Sequence, residues 1–293
     1  MRKYLVASLF LLASLPAFAS MEEALDAYKK GNYGAAIQEL NRLGESGDVS
    51  AQIMLGALYS KGGAVTRDDK IAASWFEKAA VQDNAEAQYQ LGYLHENSQL
   101  TRDYVAATSW YHKAAQRGSA KAQARLGALY AAGLGVTKNT NESVLWFGKA
   151  ALQGNTDAQF SLGRMYALGK TVPKNKDLAK GWLTKAAAQG HADALLMLAG
   201  MYKKGEGVPK DPILAYSLNS LAIANQTLLK KNATNMREDL ADELTPEQLA
   251  TSNKLTIELQ KPKQFSQAFN AYINKSHQAP FRFFDRPEKK ASF

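Results

Sequence analysis

The chain has 293 residues, 46% of them hydrophobic and 22% charged, with a formal net charge of +9 and no cysteine. Absence of cysteine excludes a disulfide framework and a cysteine-linked lipid anchor, so packing alone must hold the fold. The excess of base is scattered along the sequence and favours an acidic partner or an anionic surface through long-range attraction.

The first element is a leader. Met1-Arg2-Lys3 gives a short positive start, 4–15 is almost wholly apolar, and Pro16-Ala17-Phe18-Ala19 places small residues where a signal peptidase reads them. The apolar run is about 12 residues, short of the ~20 that a membrane-spanning helix needs. Residues 1–19 therefore read as a signal peptide cleaved between Ala19 and Ser20, and the mature chain is expected to be periplasmic or secreted. Cleavage removes Arg2 and Lys3 and takes the charge from +9 to +7. Export argues against nucleic acid as a partner, and no later apolar run is long enough for a transmembrane segment in the mature chain.

Residues 20–46 read as a helical cap hairpin, with Met21-Glu22-Glu23-Ala24-Leu25 and Ala35-Ala36-Ile37 as its apolar seams. A string then returns five times across 47–225: Ala51-Gln52-x-x-Leu55-Gly56-x-x-Tyr59, Ala87-Gln88-x-x-Leu91-Gly92-x-x-His95, Ala122-Gln123-x-x-Leu126-Gly127-x-x-Tyr130, Ala158-Gln159-x-x-Leu162-Gly163-x-x-Tyr166 and Ala194-Leu195-x-x-Leu198-Ala199-x-x-Tyr202. The spacing is 36, 35, 36 and 36 residues. A second string keeps phase with it, from Trp75 to Ala80, Trp110 to Ala115, Trp146 to Ala151 and Trp182 to Ala187, with Leu218 in place of the fifth tryptophan. Both strings carry apolar and small residues at three- and four-residue spacing, the mark of helices. Between them lie glycine turns such as Gly133-Leu134-Gly135 and Gly205-Glu206-Gly207, and Asp68, Asn139, Asn175 and Asp211 are placed to cap the helix that follows. Each repeat is thus a helix–turn–helix. Glycines 56, 92, 127 and 163 sit mid-helix, where glycine costs roughly 1 kcal/mol against alanine, so close helix contact is expected to offset them. Trp75, Trp110, Trp146 and Trp182 read as scaffold, because aromatic residues at fixed helical spacing belong to a core more often than to a ligand platform.

Beyond the repeats, 226–261 reads as C-terminal capping helices, one running from Leu221 to Leu240 and one opened by Thr245-Pro246-Glu247-Gln248 and ending at Leu259. Residues 262–293 form a basic aromatic tail, with a short helix at 265–273 and then a proline-broken stretch containing Phe281, Phe283 and Phe284. Three readings compete for that tail: folding back over apolar surface, docking as a disordered peptide, or contact with a membrane surface. Folding back is preferred, since exposed phenylalanines need cover.

The pattern A-x-x-W-[YF]-x-K-A-A-x-x-G-x-x-x-A-Q-x-x-L-G-x-x-Y-x-x-G-x-G-V resembles the Sel-one-like repeats (SLR), relatives of the tetratricopeptide repeats. The resemblance implies an all-α fold, a right-handed α-solenoid with a concave face, and a role as an adaptor or binding scaffold. The second copy departs from it, since 95–102 has lost both turn glycines. Cysteine-rich relatives are linked with β-lactam binding, but this chain has neither cysteine nor a serine followed three residues later by lysine.

No catalytic constellation is expected. His95, His112, His191 and His277 are dispersed, no metal-ligand spacing occurs, and the Gly-x-Gly turns join helices instead of following a strand. The sequence therefore predicts a non-enzyme without cofactor or metal, binding a protein or peptide. The alternative is a binder of envelope glycan, peptidoglycan above all, with a weak hydrolase activity. By the resemblance, the Ala-Gln helices line the concave side, and a stripe along each changes from copy to copy. It runs Met54, Ala57, Lys61; Gln90, Tyr93, Asn97; Arg125, Ala128, Ala132; Ser161, Arg164, Leu168; and Met197, Gly200, Lys204. Tyr93, Arg125 and Arg164 are the predicted anchors, with Gln90 and Asn97 beside them, because aromatic and arginine side chains dominate interfaces and arginine grips carboxylates.

Overall fold

The computed structural model describes residues 20–98, 102–261 and 263–277; the expected leader at 1–19 and the tail from 278 onward, with Phe281, Phe283 and Phe284, lie outside the described residues. Among those described there are fifteen α-helices and no strand. The chain divides into two compact units, Met1–Asp103 and Tyr104–Phe293. The first contains α1 (Met21–Lys29), α2 (Tyr33–Glu45), α3 (Val49–Lys61), α4 (Asp69–Ala80) and α5 (Ala85–Asn97). The second contains α6 (Tyr104–Gln116), α7 (Ala120–Ala132), α8 (Thr140–Leu152), α9 (Thr156–Leu168), α10 (Lys176–Ala188), α11 (Ala192–Lys204), α12 (Pro212–Ala224), α13 (Lys230–Glu243), α14 (Pro246–Gln260) and α15 (Phe265–His277). The division falls inside the second copy of the repeat, where the turn lacks its glycines.

Each hairpin is set by the residues that recur. Asp68, Asn139, Asn175 and Asp211 all cap the second helix of their repeat, accepting from backbone N–H groups of its first turn. The same residues donate their own N–H to the carbonyls of Tyr59, Tyr130, Tyr166 and Tyr202 at 2.9 to 3.0 Å, which closes the turn on the first helix. First helices are capped as well, by Asp48, Asn84, Ser119, Asn155 and His191. The turn at Gly133-Leu134-Gly135 takes φ of +74° and +69° at its glycines, and a Cβ on Gly135 would collide with the Tyr104 carbonyl.

The mid-helix glycines serve contact within the hairpin. A Cβ on Gly56 would lie 2.6 Å from the Phe76 ring, one on Gly127 would lie 2.7 Å from the Phe147 ring, and one on Gly163 would lie 2.7 Å from Leu183. In these three repeats the residue that follows the tryptophan, Phe76, Phe147 or Leu183, thus fills the notch left by the glycine. The tryptophans flank it. Trp75 and Trp146 are buried, Trp110 and Trp182 half-buried. Lys78, Lys113, Lys149 and Lys185 each hold an ammonium 3.8 to 4.6 Å from the ring centroid three residues earlier.

Successive hairpins are tied by a glutamine ladder. Gln52, Gln88, Gln123 and Gln159 are buried, and their amides donate to the carbonyls of Gly44, Ala80, Ala115 and Ala151 on the preceding helix at 2.8 to 3.1 Å. Gln82, Gln153 and Gln189 then donate to the side-chain oxygens of Gln52, Gln123 and Gln159. At Gln52, Gln123 and Gln159 the buried amide is satisfied from both sides, which fixes the register of one repeat on the next, because losing either partner would strand a polar group away from water; the Gln88 oxygen is buried without such a donor.

At the C-terminal end the structure departs from the helix pattern that the sequence predicts. The helix expected from Leu221 to Leu240 is interrupted: α12 stops at Ala224, Gln226 takes a left-handed φ of +59°, and α13 starts at Lys230. The Asn225 amide donates to Gly190 at 2.9 Å, as Gln189 does to Gly154 one repeat earlier, so the end of α12 is tied to the repeat before it. No glycine or proline marks the break, and Leu228 and Leu229, which extend the apolar pattern, are in fact exposed. Further along, Lys203 of α11 meets the Asp239 carboxylate of α13 at 2.8 Å, a separation of 36 residues that equals the repeat period. α13 thus stands where a sixth first helix would. α15 then packs its buried Phe265, Phe269 and Ile273 into the core of α11 and α12, with Phe269 edge-on to Tyr202 and the Tyr272 hydroxyl donating to Asp211 at 3.2 Å.

Candidate partner-binding face

The signature residues face inward, which leaves the variable stripe outside. Met54, Gln90, Arg125, Ser161 and Met197 are half-buried, and of the ten stripe positions that follow them all are exposed except half-buried Gly200. Of the predicted anchors, Tyr93 belongs to the first unit and Arg125 and Arg164 to the second. Tyr93 is 42% exposed, with its ring tilted against Tyr89 at 6.3 Å. Its companions are engaged within their own helix: the Gln90 amide donates to the Glu86 carboxylate at 2.7 Å and the Asn97 amide to the Tyr93 carbonyl at 2.9 Å. Arg125 is half-buried on α7 and Arg164 is exposed on α9.

Arg164 has a distinctive setting. On one side its guanidinium lies 5.8 Å from the Phe160 ring, which itself stacks on His191 at 4.3 Å. On the other it lines an open cleft of about 500 Å³. Ala128, Ala131 and Ala132 of α7 form one wall, Ser161, Arg164, Met165 and Leu168 of α9 the other. Thr140, Ser143 and Phe147 of α8 and the turn residues Lys170 and Thr171 complete it. Ser143 is committed, its hydroxyl donating to the Gly127 carbonyl at 2.8 Å. The stripe contains Ala128, Ala132, Ser161, Arg164 and Leu168 of this lining; it misses Ala131 and Met165, which adjoin it on the same helices, and it misses the α8 and turn residues, because helical spacing along one element carries no information about what a neighbouring element contributes.

Among the described residues no group of three or more His, Cys, Asp or Glu could hold a metal ion, and no helix is long and apolar enough to cross a membrane. Two of the histidines have structural positions. His191 caps α11, its Nδ1 accepting from Ala194 at 3.3 Å. His112 stands edge-on to Trp146 with Nε2 3.1 Å from the Tyr130 hydroxyl, and burial lowers its pKa from the ordinary histidine value, with nearby Glu142 acting in the opposite sense.

Comparison with known proteins agrees with this geometry. The family model described as the Sel1 repeat matches at 49–84, 85–119, 120–155, 156–191 and 192–225. A solved Sel1 repeat protein from Oxalobacter formigenes is 30% identical, with a TM-score of 0.66 over 79% of this chain and 96% of that one. A protective antigen of uropathogenic Escherichia coli strains, displaying an SLR fold, is 26% identical with a TM-score of 0.52 over 94% of this chain and 66% of that one. A search of curated proteins finds no match.

Proposed function

Because the chain belongs to the Sel1 repeat family, whose stacked hairpins generally serve as protein-interaction scaffolds, we propose that it is exported and holds a protein or peptide partner on the variable face of its first helices. One observation carries the reading: residues repeated from copy to copy are used for caps, notches and the glutamine ladder, while in each unit those that vary are largely at the surface of the first helices. Variation concentrated on exposed helix stripes is what a recognition surface requires, since packing does not dictate it. Positive charge on the mature chain and Arg164 on that face favour a partner bearing carboxylates.

Crosslinking of the mature chain in a cell-envelope extract, followed by capture, tests this. A protein recovered at stoichiometric yield is the expected result. Tight binding of muropeptides with no protein recovered would contradict the scaffold reading. Export is tested separately: N-terminal sequencing of envelope protein is expected to begin at Ser20, and intact Met1 in a cytoplasmic fraction would contradict it.

A further inference from the structure

We infer that the cleft between α7 and α9 takes an extended peptide in which a large apolar side chain is flanked by carboxylates. The inference rests on the scaffold reading above and narrows it to one place and one chemistry. The cleft exists because of what α7 lacks. At the last stripe position the five repeats carry Lys61, Asn97, Ala132, Leu168 and Lys204, and one residue earlier Ser60, Glu96, Ala131, Ala167 and Lys203. The third repeat alone has alanine at both, and Ala128 adds a third small residue one turn back. Space that longer side chains occupy elsewhere is open here, and a volume of about 500 Å³ falls in the range of small-ligand pockets.

Walls and rim then specify the occupant. Ala128, Ala131, Ala132, Phe147, Met165 and Leu168 offer apolar surface for one large side chain. Arg164 and Lys170 are the charged residues of the lining, both cationic, and no carboxylate lies in it. Among the described residues neither makes an ion pair, so a carboxylate placed there would meet cations not already neutralised. Thr140, Ser161 and Thr171 add hydroxyls that can bond a peptide backbone, for which an acyl chain has no groups. Charge and hydroxyls together favour an acidic, apolar peptide over a fatty acid.

The test uses the full mature chain and four fluorescent or competing probes: the amidated peptide Glu-Phe-Glu-Leu-Glu, its lysine counterpart Lys-Phe-Lys-Leu-Lys, a glycine version Glu-Gly-Glu-Gly-Glu, and decanoate. Binding of the first alone, weakening as salt rises, is expected. The variant Ala128→Tyr with Ala132→Leu fills the cleft using residues that other repeats carry at the same positions, Tyr93 and Leu168, so its helical circular dichroism is expected to stay unchanged. It should bind the acidic peptide at least tenfold more weakly. Arg164→Glu with Lys170→Glu should lose the acidic peptide and gain the lysine one. Undiminished binding by the filled variant, preference for decanoate, or no binding of the acidic peptide at millimolar concentration overturns the inference. If the filled variant still captures the envelope partner, the cleft assignment falls while the scaffold reading stands.

Discussion

Two residues carry sharp consequences. Gly127 lies against the Phe147 ring so closely that any Cβ would overlap it, and Gly127→Leu is expected to destabilise by about 1–3 kcal/mol. Chemical denaturation reads the loss. Ala128→Leu, one position along on the exposed side, serves as the control and should shift the midpoint little. Adding Phe147→Ala to Gly127→Leu should cost less than the two separate effects combined, because the smaller residue removes the clash; strict additivity would show that the two do not meet. His112 gives a pH signature. Burial depresses its folded pKa, so the unfolded chain binds the proton more readily. Stability is therefore intact above the ordinary histidine value of about 6.5 and falls as pH drops from there toward the folded value. His112→Gln should reduce the fall in melting temperature between pH 7 and pH 5.5. An equal fall in the variant would mean that other groups cause it.

At the scale of elements, α15 is more than an appendage. Phe265, Phe269 and Ile273 enter the core that α11 and α12 share, and Tyr272 donates to the cap residue Asp211. Burial, with a lesser contribution from Asp211, pushes the Tyr272 hydroxyl up to about 12, so this bond persists through neutral pH. Phe269→Ala should cost about 3–5 kcal/mol and lower amide-exchange protection in α11 and α12, where the ring packs, ahead of α7 and α8. Equal loss of protection in all four helices would mean that the second unit unfolds as one and α15 has no local role. The repeat hairpins were legible in the sequence because the same residues recur wherever the same contact is made. Asp68, Asn139, Asn175 and Asp211 announce caps, and Gly56, Gly127 and Gly163 announce close approach. The stop after Ala224 was not legible: it is accompanied by a bond between Asn225 and Gly190 that joins distant parts of the sequence, and the local signal of Leu228 and Leu229 runs through it. The cleft was half legible. Arg164 and Ala132 lie on a stripe that helical spacing reveals, whereas Lys170 reaches the same place from a turn.

For the molecule as a whole, structure separates two tasks that the sequence interleaves. Inward residues build a scaffold common to all repeats, and outward residues are free to differ. A scaffold of this kind should bind through a few anchors and tolerate change elsewhere on the same face. The most direct measurement is capture of the proposed partner by the chain from Ser20 onward in which Tyr93, Arg125 and Arg164 are all alanine. Helical circular dichroism and melting temperature should stay close to those of the parent chain, while capture weakens at least tenfold, equivalent to about 1.4 kcal/mol. Undiminished capture by that folded variant would contradict the assignment of recognition to the variable stripes.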